Sequence, residues 1–97
     1  MFNLKFTTEA RAQYLALKEN PGFAKRHKAV RKALALLGQN PRHPGLQTHK
    51  YDDLPGCGGI EVFEAYAENQ TPGAYRIFWR YGPPRGVITL LAITEHP

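Results

Sequence analysis

The sequence predicts an α+β domain in which an antiparallel sheet has two N-terminal helices packed on one face. Segments with helical periodicity come early in the chain, and three strand-like runs of apolar residues fill its second half. Helices followed by a group of strands are typical of this class, because the strands then pair mainly with one another. A length of 97 residues is that of one domain, so residues 1–97 are assigned to a single unit.

A short strand and a helix are expected at the N-terminus. In MFNLKF, apolar and polar side chains alternate, so Phe2, Leu4 and Phe6 should point to the same side of a half-buried strand. Thr7 and Thr8 offer hydroxyl groups that can cap the following helix, EARAQYLALKEN. The Asn-Pro-Gly sequence at 20–22 should end this helix, since proline lacks an amide hydrogen.

A second helix is expected from about Phe23 to Leu37, because its apolar residues recur at the spacing that buries one helix face. Gly38 and the Asn-Pro pair at 40–41 should stop it. Four cations project from roughly the opposite side: Lys25, Lys28, Arg31 and Lys32. We interpret them as a solvated face, with nucleic-acid contact as the alternative.

The rest of the chain predicts a loop followed by three strands. Residues 40–59 are dense in proline and glycine, which favours an ordered loop with a brief strand around 46–51. The strand-like runs are IEVFEAYA (60–67), AYRIFWRY (74–81) and GVITLLAI (86–93). The last of these is apolar at nearly every position, which is typical of a central strand covered on both faces.

The strand AYRIFWRY contains two arginines among aromatic residues, and its alternation separates two faces. Tyr75, Ile77 and Trp79 should face the helices, whereas Arg76 and Arg80 should face the other side. A buried, unpaired guanidinium is very costly, so that side must be an open groove or contain paired carboxylates. The available partners are Glu61, Glu64 and Glu68.

Composition limits the partners and the compartment. A formal net charge of +5 and a pI of about 9.6 allow a polyanionic partner, or simply a basic surface. Cys57 is the single cysteine, which favours a reducing, cytoplasmic location, and neither a signal peptide nor a membrane-spanning segment is expected. Histidines and the cysteine are scattered without ligand spacing, so we expect no metal and no cofactor.

Three segments together resemble the RelE/ParE superfamily of bacterial type II toxin–antitoxin systems. They are LLGQNPRHPGLQTHK (36–50), PGAYRIFW (72–79) and the terminal I-x-x-H (93–96), and the resemblance extends over essentially the whole chain. It implies a twisted antiparallel sheet with two N-terminal helices on one side and a concave basic face on the other. It also implies a cognate antitoxin protein as partner. RelE-like members cut mRNA on the ribosome, whereas ParE-like members inhibit DNA gyrase.

The resemblance further implies roles for individual residues. The catalytic candidates are Arg76, which would bind the scissile phosphate, together with His96, His49 and Lys50 for proton transfer and charge stabilisation. The RNA-binding candidates are Arg80 and Arg85 for the backbone, and Tyr66 and Phe78 for stacking on a displaced base. Tyr66 and Phe78 can equally be core residues.

This chain departs from some nucleases of the superfamily, which have lysines on the strand that here reads IEVFEAYA. Glu61 or Glu64 can therefore be a general base, or a salt-bridge partner that weakens phosphate binding by the arginines. The leading hypothesis is a metal-independent, ribosome-dependent mRNA endonuclease that leaves 2′,3′-cyclic phosphate ends and so inhibits translation. The alternatives are a ParE-like gyrase inhibitor and an inactive binding protein with the same fold.

Overall fold

The computed structural model describes residues 1–51, 60–69 and 72–95. It contains two α-helices, two 3-10 turns and one sheet, which confirms the α+β class. The elements in chain order are β1 (Asn3–Phe6), α1 (Thr8–Glu19), a 3-10 turn (Pro21–Phe23), α2 (Ala24–Gln39), a second 3-10 turn (Pro44–Leu46), β2 (His49–Lys50), β3 (Phe63–Tyr66), β4 (Tyr75–Tyr81) and β5 (Val87–Glu95). His96 and Cys57 lie outside the described residues.

The sheet is mixed, so the prediction of a purely antiparallel sheet was wrong. Its strand order is β1-β5-β4-β3-β2, and β1 pairs with β5 in parallel, whereas every other pair is antiparallel. A parallel pair needs a long connection between its strands, and here most of the chain, including both helices, separates β1 from β5. The alternating pattern of MFNLKF predicts a strand but contains no information on its direction.

Both helices were located correctly, but α2 extends past its predicted end. Thr7 caps α1, because its Oγ1 accepts a hydrogen bond of 3.1 Å from the backbone N–H of Ala10. α2 continues through Gly38, which is buried against the start of β1. The carbonyl of Gly38 accepts a 2.7 Å hydrogen bond from the N–H of Phe2. Gly38 therefore lies within α2 and joins it to β1 through its backbone carbonyl, instead of ending the helix.

The core contains residues from both helices and from one face of the sheet. Ile77 and Trp79 of β4 are fully buried in it, and Tyr75 packs against it, as the alternation predicted. β5 lies centrally between β1 and β4. Phe78 pairs with Ala92 and Trp79 pairs with Leu90, so the register skips Leu91 of β5. Because of this bulge, Leu90 and Ile93 are both buried although they are three positions apart.

Candidate functional site

Strand register assembles a group of four polar and aromatic side chains on the sheet face opposite the helical core. Glu64 and Tyr66 are two residues apart on β3 and therefore share a face. His49 of β2 is the direct partner of Glu64, and Arg76 of β4 is the direct partner of Tyr66. We call His49, Glu64, Tyr66 and Arg76 the carboxylate cluster.

Glu64 is the centre of the carboxylate cluster. Only 1% of Glu64 is exposed, which is unusual for a carboxylate unless cations compensate its charge. Oε1 lies 2.7 Å from His49 Nε2, and Oε2 lies 3.8 Å from Arg76 Nε. A single buried carboxylate thus contacts an imidazole on one neighbouring strand and a guanidinium on the other.

Arg76 is buried, so of the two alternatives for this face of β4 the open groove does not apply to it. Only 6% of the residue is exposed, and Nη1 donates to the backbone carbonyls of Glu68 (2.6 Å) and Tyr75 (3.2 Å). The guanidinium carbon lies 3.7 Å from the ring centroid of Tyr66, which is cation–π contact. Carbonyl oxygens and an aromatic ring therefore replace part of the water that Arg76 loses on burial, while its Nε makes no hydrogen bond to any residue that the structure describes. Glu64 supplies the opposite charge at 3.8 Å, which is the paired-carboxylate alternative for this face.

His49 is the accessible member of the carboxylate cluster, with 48% of its side chain exposed. Nδ1 lies 3.0 Å from the carbonyl oxygen of Gln47, and Nε2 faces Glu64. Both neighbours are acceptors, so only a doubly protonated imidazole can donate to both. The ring is also 5.8 Å from that of Tyr66, edge to face. The arrangement holds an imidazole at the surface with a carboxylate behind it, which suits proton transfer.

The next residue, Lys50, provides an exposed cation beside the carboxylate cluster. Its Nζ lies 3.8 Å from Glu61 Oε1, and both side chains are more than half exposed. Such a surface pair is weak, because water and salt screen it. Lys50 therefore places an exposed positive charge next to His49.

The structure does not bring all the predicted residues together. In the described part of the chain, no contact links Arg80 or Arg85 with the carboxylate cluster. Arg85 is exposed. Arg80 Nε lies 3.4 Å from the carbonyl oxygen of Tyr81. Phe78 is 6% exposed and packs edge to face on Tyr51 at 5.0 Å, so it has a core-like environment. The placement of His96 lies outside the described residues.

Glu68 has a role that the sequence did not reveal. It was considered as a partner of the arginines on β4, but its carboxylate pairs with Arg26 of α2 at 2.8 Å. The same Oε1 accepts a 3.1 Å hydrogen bond from the N–H of Tyr75, and its backbone carbonyl accepts from Arg76. Glu68 thus connects α2 to the start of β4 and fixes the guanidinium. A sequence signal was absent, since Arg26 and Glu68 are 42 residues apart.

No protein-family model matches the chain, and no curated protein matches it by sequence. Solved structures do match it over nearly its full length. The YoeB dimer from Staphylococcus aureus has a TM-score of 0.70 at 14% identity, covering 99% of this chain and 98% of that one. A metal-bound toxin from Helicobacter pylori has a TM-score of 0.71 at 16% identity, with coverages of 99% and 96%. The archaeal RelE–RelB complex from Pyrococcus horikoshii has a TM-score of 0.64 at 17% identity, with coverages of 97% and 93%.

The chain has the fold of the RelE-like toxins. This agrees with the resemblance inferred from the three sequence segments. Within this RelE-like fold, residues 1–51, 60–69 and 72–95 contain no group of three or more histidine, cysteine or acidic side chains able to hold a metal ion. None of the helices within the same ranges is long and apolar enough to cross a membrane.

Proposed function

We propose that the protein is the toxin of a type II toxin–antitoxin system and cleaves mRNA on the ribosome without a metal ion. The observation that supports this most is the His49–Glu64 pair, an exposed imidazole backed by a buried carboxylate on the sheet face opposite the helical core in a RelE-like fold. The RelE and RelBE structures that this chain resembles include complexes with an antitoxin. A cognate antitoxin is accordingly the proposed protein partner, and the cytoplasm the proposed compartment.

The proposed reaction is an internal transfer at one phosphodiester. The ribose 2′-oxygen loses its proton to a base and attacks the adjacent phosphorus. The bond from phosphorus to the 5′-oxygen breaks, and that oxygen receives a proton from an acid. The products are a 2′,3′-cyclic phosphate and a 5′-hydroxyl. Two proton-transfer groups and cationic charge near the phosphate are sufficient for this chemistry.

We assign the acid to His49 and the base to His96. Nδ1 of His49 lies on the exposed side of the ring, so it can exchange the Gln47 carbonyl for the leaving oxygen of the substrate. Glu64 accepts a hydrogen bond from Nε2 and keeps the ring in one orientation while Nδ1 gives its proton to the leaving oxygen. Glu64 is the alternative base, in line with the carboxylate that some superfamily members use. His96→Ala distinguishes the two assignments, because it should abolish cleavage if His96 is the base and leave cleavage in place if Glu64 is the base.

Arg76 and Lys50 supply positive charge in different ways. The resemblance assigns Arg76 to the scissile phosphate, but its burial and its backbone contacts favour a positioning role in which it holds Glu64. Lys50 has 53% of its side chain exposed and can reach a phosphate directly. A double-mutant cycle separates the roles of Arg76. If Arg76 acts through Glu64, Arg76→Ala has little further effect on cleavage in a Glu64→Gln protein.

The test is cleavage of mRNA on translating ribosomes by the purified protein, with the 3′ ends analysed for cyclic phosphate. His49→Ala and Glu64→Gln should each reduce the cleavage rate by at least about a hundredfold. Unchanged cleavage and unchanged cell toxicity in both variants would refute the assignment of the site. Inhibition of supercoiling by DNA gyrase with the mRNA left intact would support the ParE-like alternative. Absence of both activities would leave a binding protein.

A further inference from the structure

A basic cavity lies at the β2 edge of the sheet, next to the carboxylate cluster. Its volume is about 470 Å³, within the usual range for small-ligand sites. The residues that line it include Arg42, His43, His49, Lys50, Phe63 and Tyr81. β2 is an edge strand of the sheet. His49, on this strand, lines the cavity and also contacts Glu64. A ligand in the cavity and a ligand at the carboxylate cluster would therefore be neighbours.

The charge of the cavity favours an anion. None of the described residues that line it is acidic, whereas Arg42 and Lys50 are exposed cations. His43 adds a donor with a fixed orientation. Its Nδ1 accepts a 3.0 Å hydrogen bond from the N–H of Gly45, so the ring hydrogen of the neutral form is on Nε2.

One wall of the cavity is aromatic and partly open. Phe63 and Tyr81 meet edge to face with ring centroids 5.5 Å apart, and both also contact the buried ring of Trp79. Tyr81 is 42% exposed although it contacts the ring of Phe2 on another side. Rigid aromatic rings that remain accessible are suitable surfaces for a base to stack on.

We propose that this cavity binds one nucleotide of single-stranded RNA, the neighbour of the nucleotide that is cut. Its base stacks on Tyr81 and Phe63, and its phosphate contacts Arg42 and Lys50. The inference rests on the proposed function, because the proposed function places the scissile ribose at His49. From there the RNA chain would pass over β2 into the cavity. Any base can stack on an aromatic ring, so the cavity would position the RNA chain without selecting an RNA sequence.

The experiment measures binding of a fluorescent, short 2′-O-methyl RNA, which lacks the attacking hydroxyl, by fluorescence anisotropy over a salt series. Tyr81→Ala should weaken binding about tenfold, because it removes a stacking surface. Arg42→Ala should weaken binding and reduce the salt slope by about 0.7, the value for one phosphate contact with a single strand. Arg11→Ala is the matched control: it removes an exposed arginine from α1, outside the cavity, and should leave binding close to that of the unaltered protein.

The outcomes separate this proposal from the proposed function. No binding by the unaltered protein, or equal binding by the Arg42→Ala, Tyr81→Ala and Arg11→Ala proteins, overturns the cavity proposal even if ribosome-dependent cleavage is observed. Glu64→Gln should bind the RNA normally while it loses cleavage. RNA binding that depends on Arg42 and Tyr81 in a protein that cuts no mRNA supports the cavity and overturns the proposed function. Arg42 is exposed, so its substitution tests the cavity even if Tyr81→Ala impairs folding.

Discussion

Removing the Arg76 side chain should destabilise the fold strongly. Arg76→Ala leaves the Glu64 carboxylate, which is 1% exposed, without the cation 3.8 Å from its Oε2. Breaking a buried ion pair by removing one partner typically costs about 3–5 kcal/mol. The pair is not closely hydrogen bonded, so we expect the lower limit, about 3 kcal/mol, which corresponds to a fall in Tm of about 12–24 °C for a domain of this size.

The assay is urea unfolding followed by the fluorescence of Trp79, the single tryptophan, which is fully buried. Arg80→Ala is the matched control, because Arg80 is on the same strand and its described hydrogen bond is a long one of 3.4 Å. Its effect should stay within about 0.5 kcal/mol. An Arg76→Ala protein as stable as the Arg80→Ala protein would refute the view that Arg76 compensates a buried carboxylate.

Three further predictions concern the site and the fold. His49→Ala should lower the free energy of unfolding by about 1–2 kcal/mol, less than Arg76→Ala, because it removes the 2.7 Å partner of buried Glu64 but His49 itself is half exposed, and it should abolish mRNA cleavage; urea unfolding and cleavage assays on one preparation test this, and a stability loss as large as that of Arg76→Ala would contradict it. Treating the purified protein with EDTA, and removing the chelator before the protein meets the ribosomes, should leave the cleavage rate unchanged, since the proposed chemistry uses side chains alone; a loss that Zn²⁺ added back to the protein reverses would count against it. Thr7→Ala should lower the free energy of unfolding by about 1 kcal/mol, because it removes the N-cap of α1, whereas the control Thr8→Ala should be nearly neutral. Equal effects of the two substitutions in urea unfolding would contradict a capping role for Thr7.

Local patterns were sufficient to predict most elements of the fold. Helical periodicity located α1 and α2, and alternation along AYRIFWRY correctly placed Ile77 and Trp79 in the core. These predictions succeed because each depends on side chains a few positions apart. The direction of β1 and the end of α2 were missed, since both depend on contacts between segments distant in the chain, such as Gly38 against Phe2.

The sequence named three of the four residues of the carboxylate cluster as site residues but did not predict how they are arranged; their roles in catalysis remain a proposal. His49, Tyr66 and Arg76 were all named, and the structure brings them together around Glu64. Whether Glu64 would neutralise Arg76 could not be known, because that contact depends on the register between β3 and β4, which the alternation along either strand does not specify. Burial is the property that periodicity cannot supply for a strand whose two faces are both covered.

The sequence by itself determined the order of helices and strands, the two faces of β4 and the resemblance to RelE-like proteins. Those properties follow from side-chain alternation and from short segments that are read along the chain. Tertiary structure alone decided that Arg76 is buried against Glu64 while His49 remains at the surface. The physical reason is strand pairing. The registers bring Glu64 close to Arg76, 12 positions away, and to His49, 15 positions away, and a shift of one position would turn each side chain to the other face.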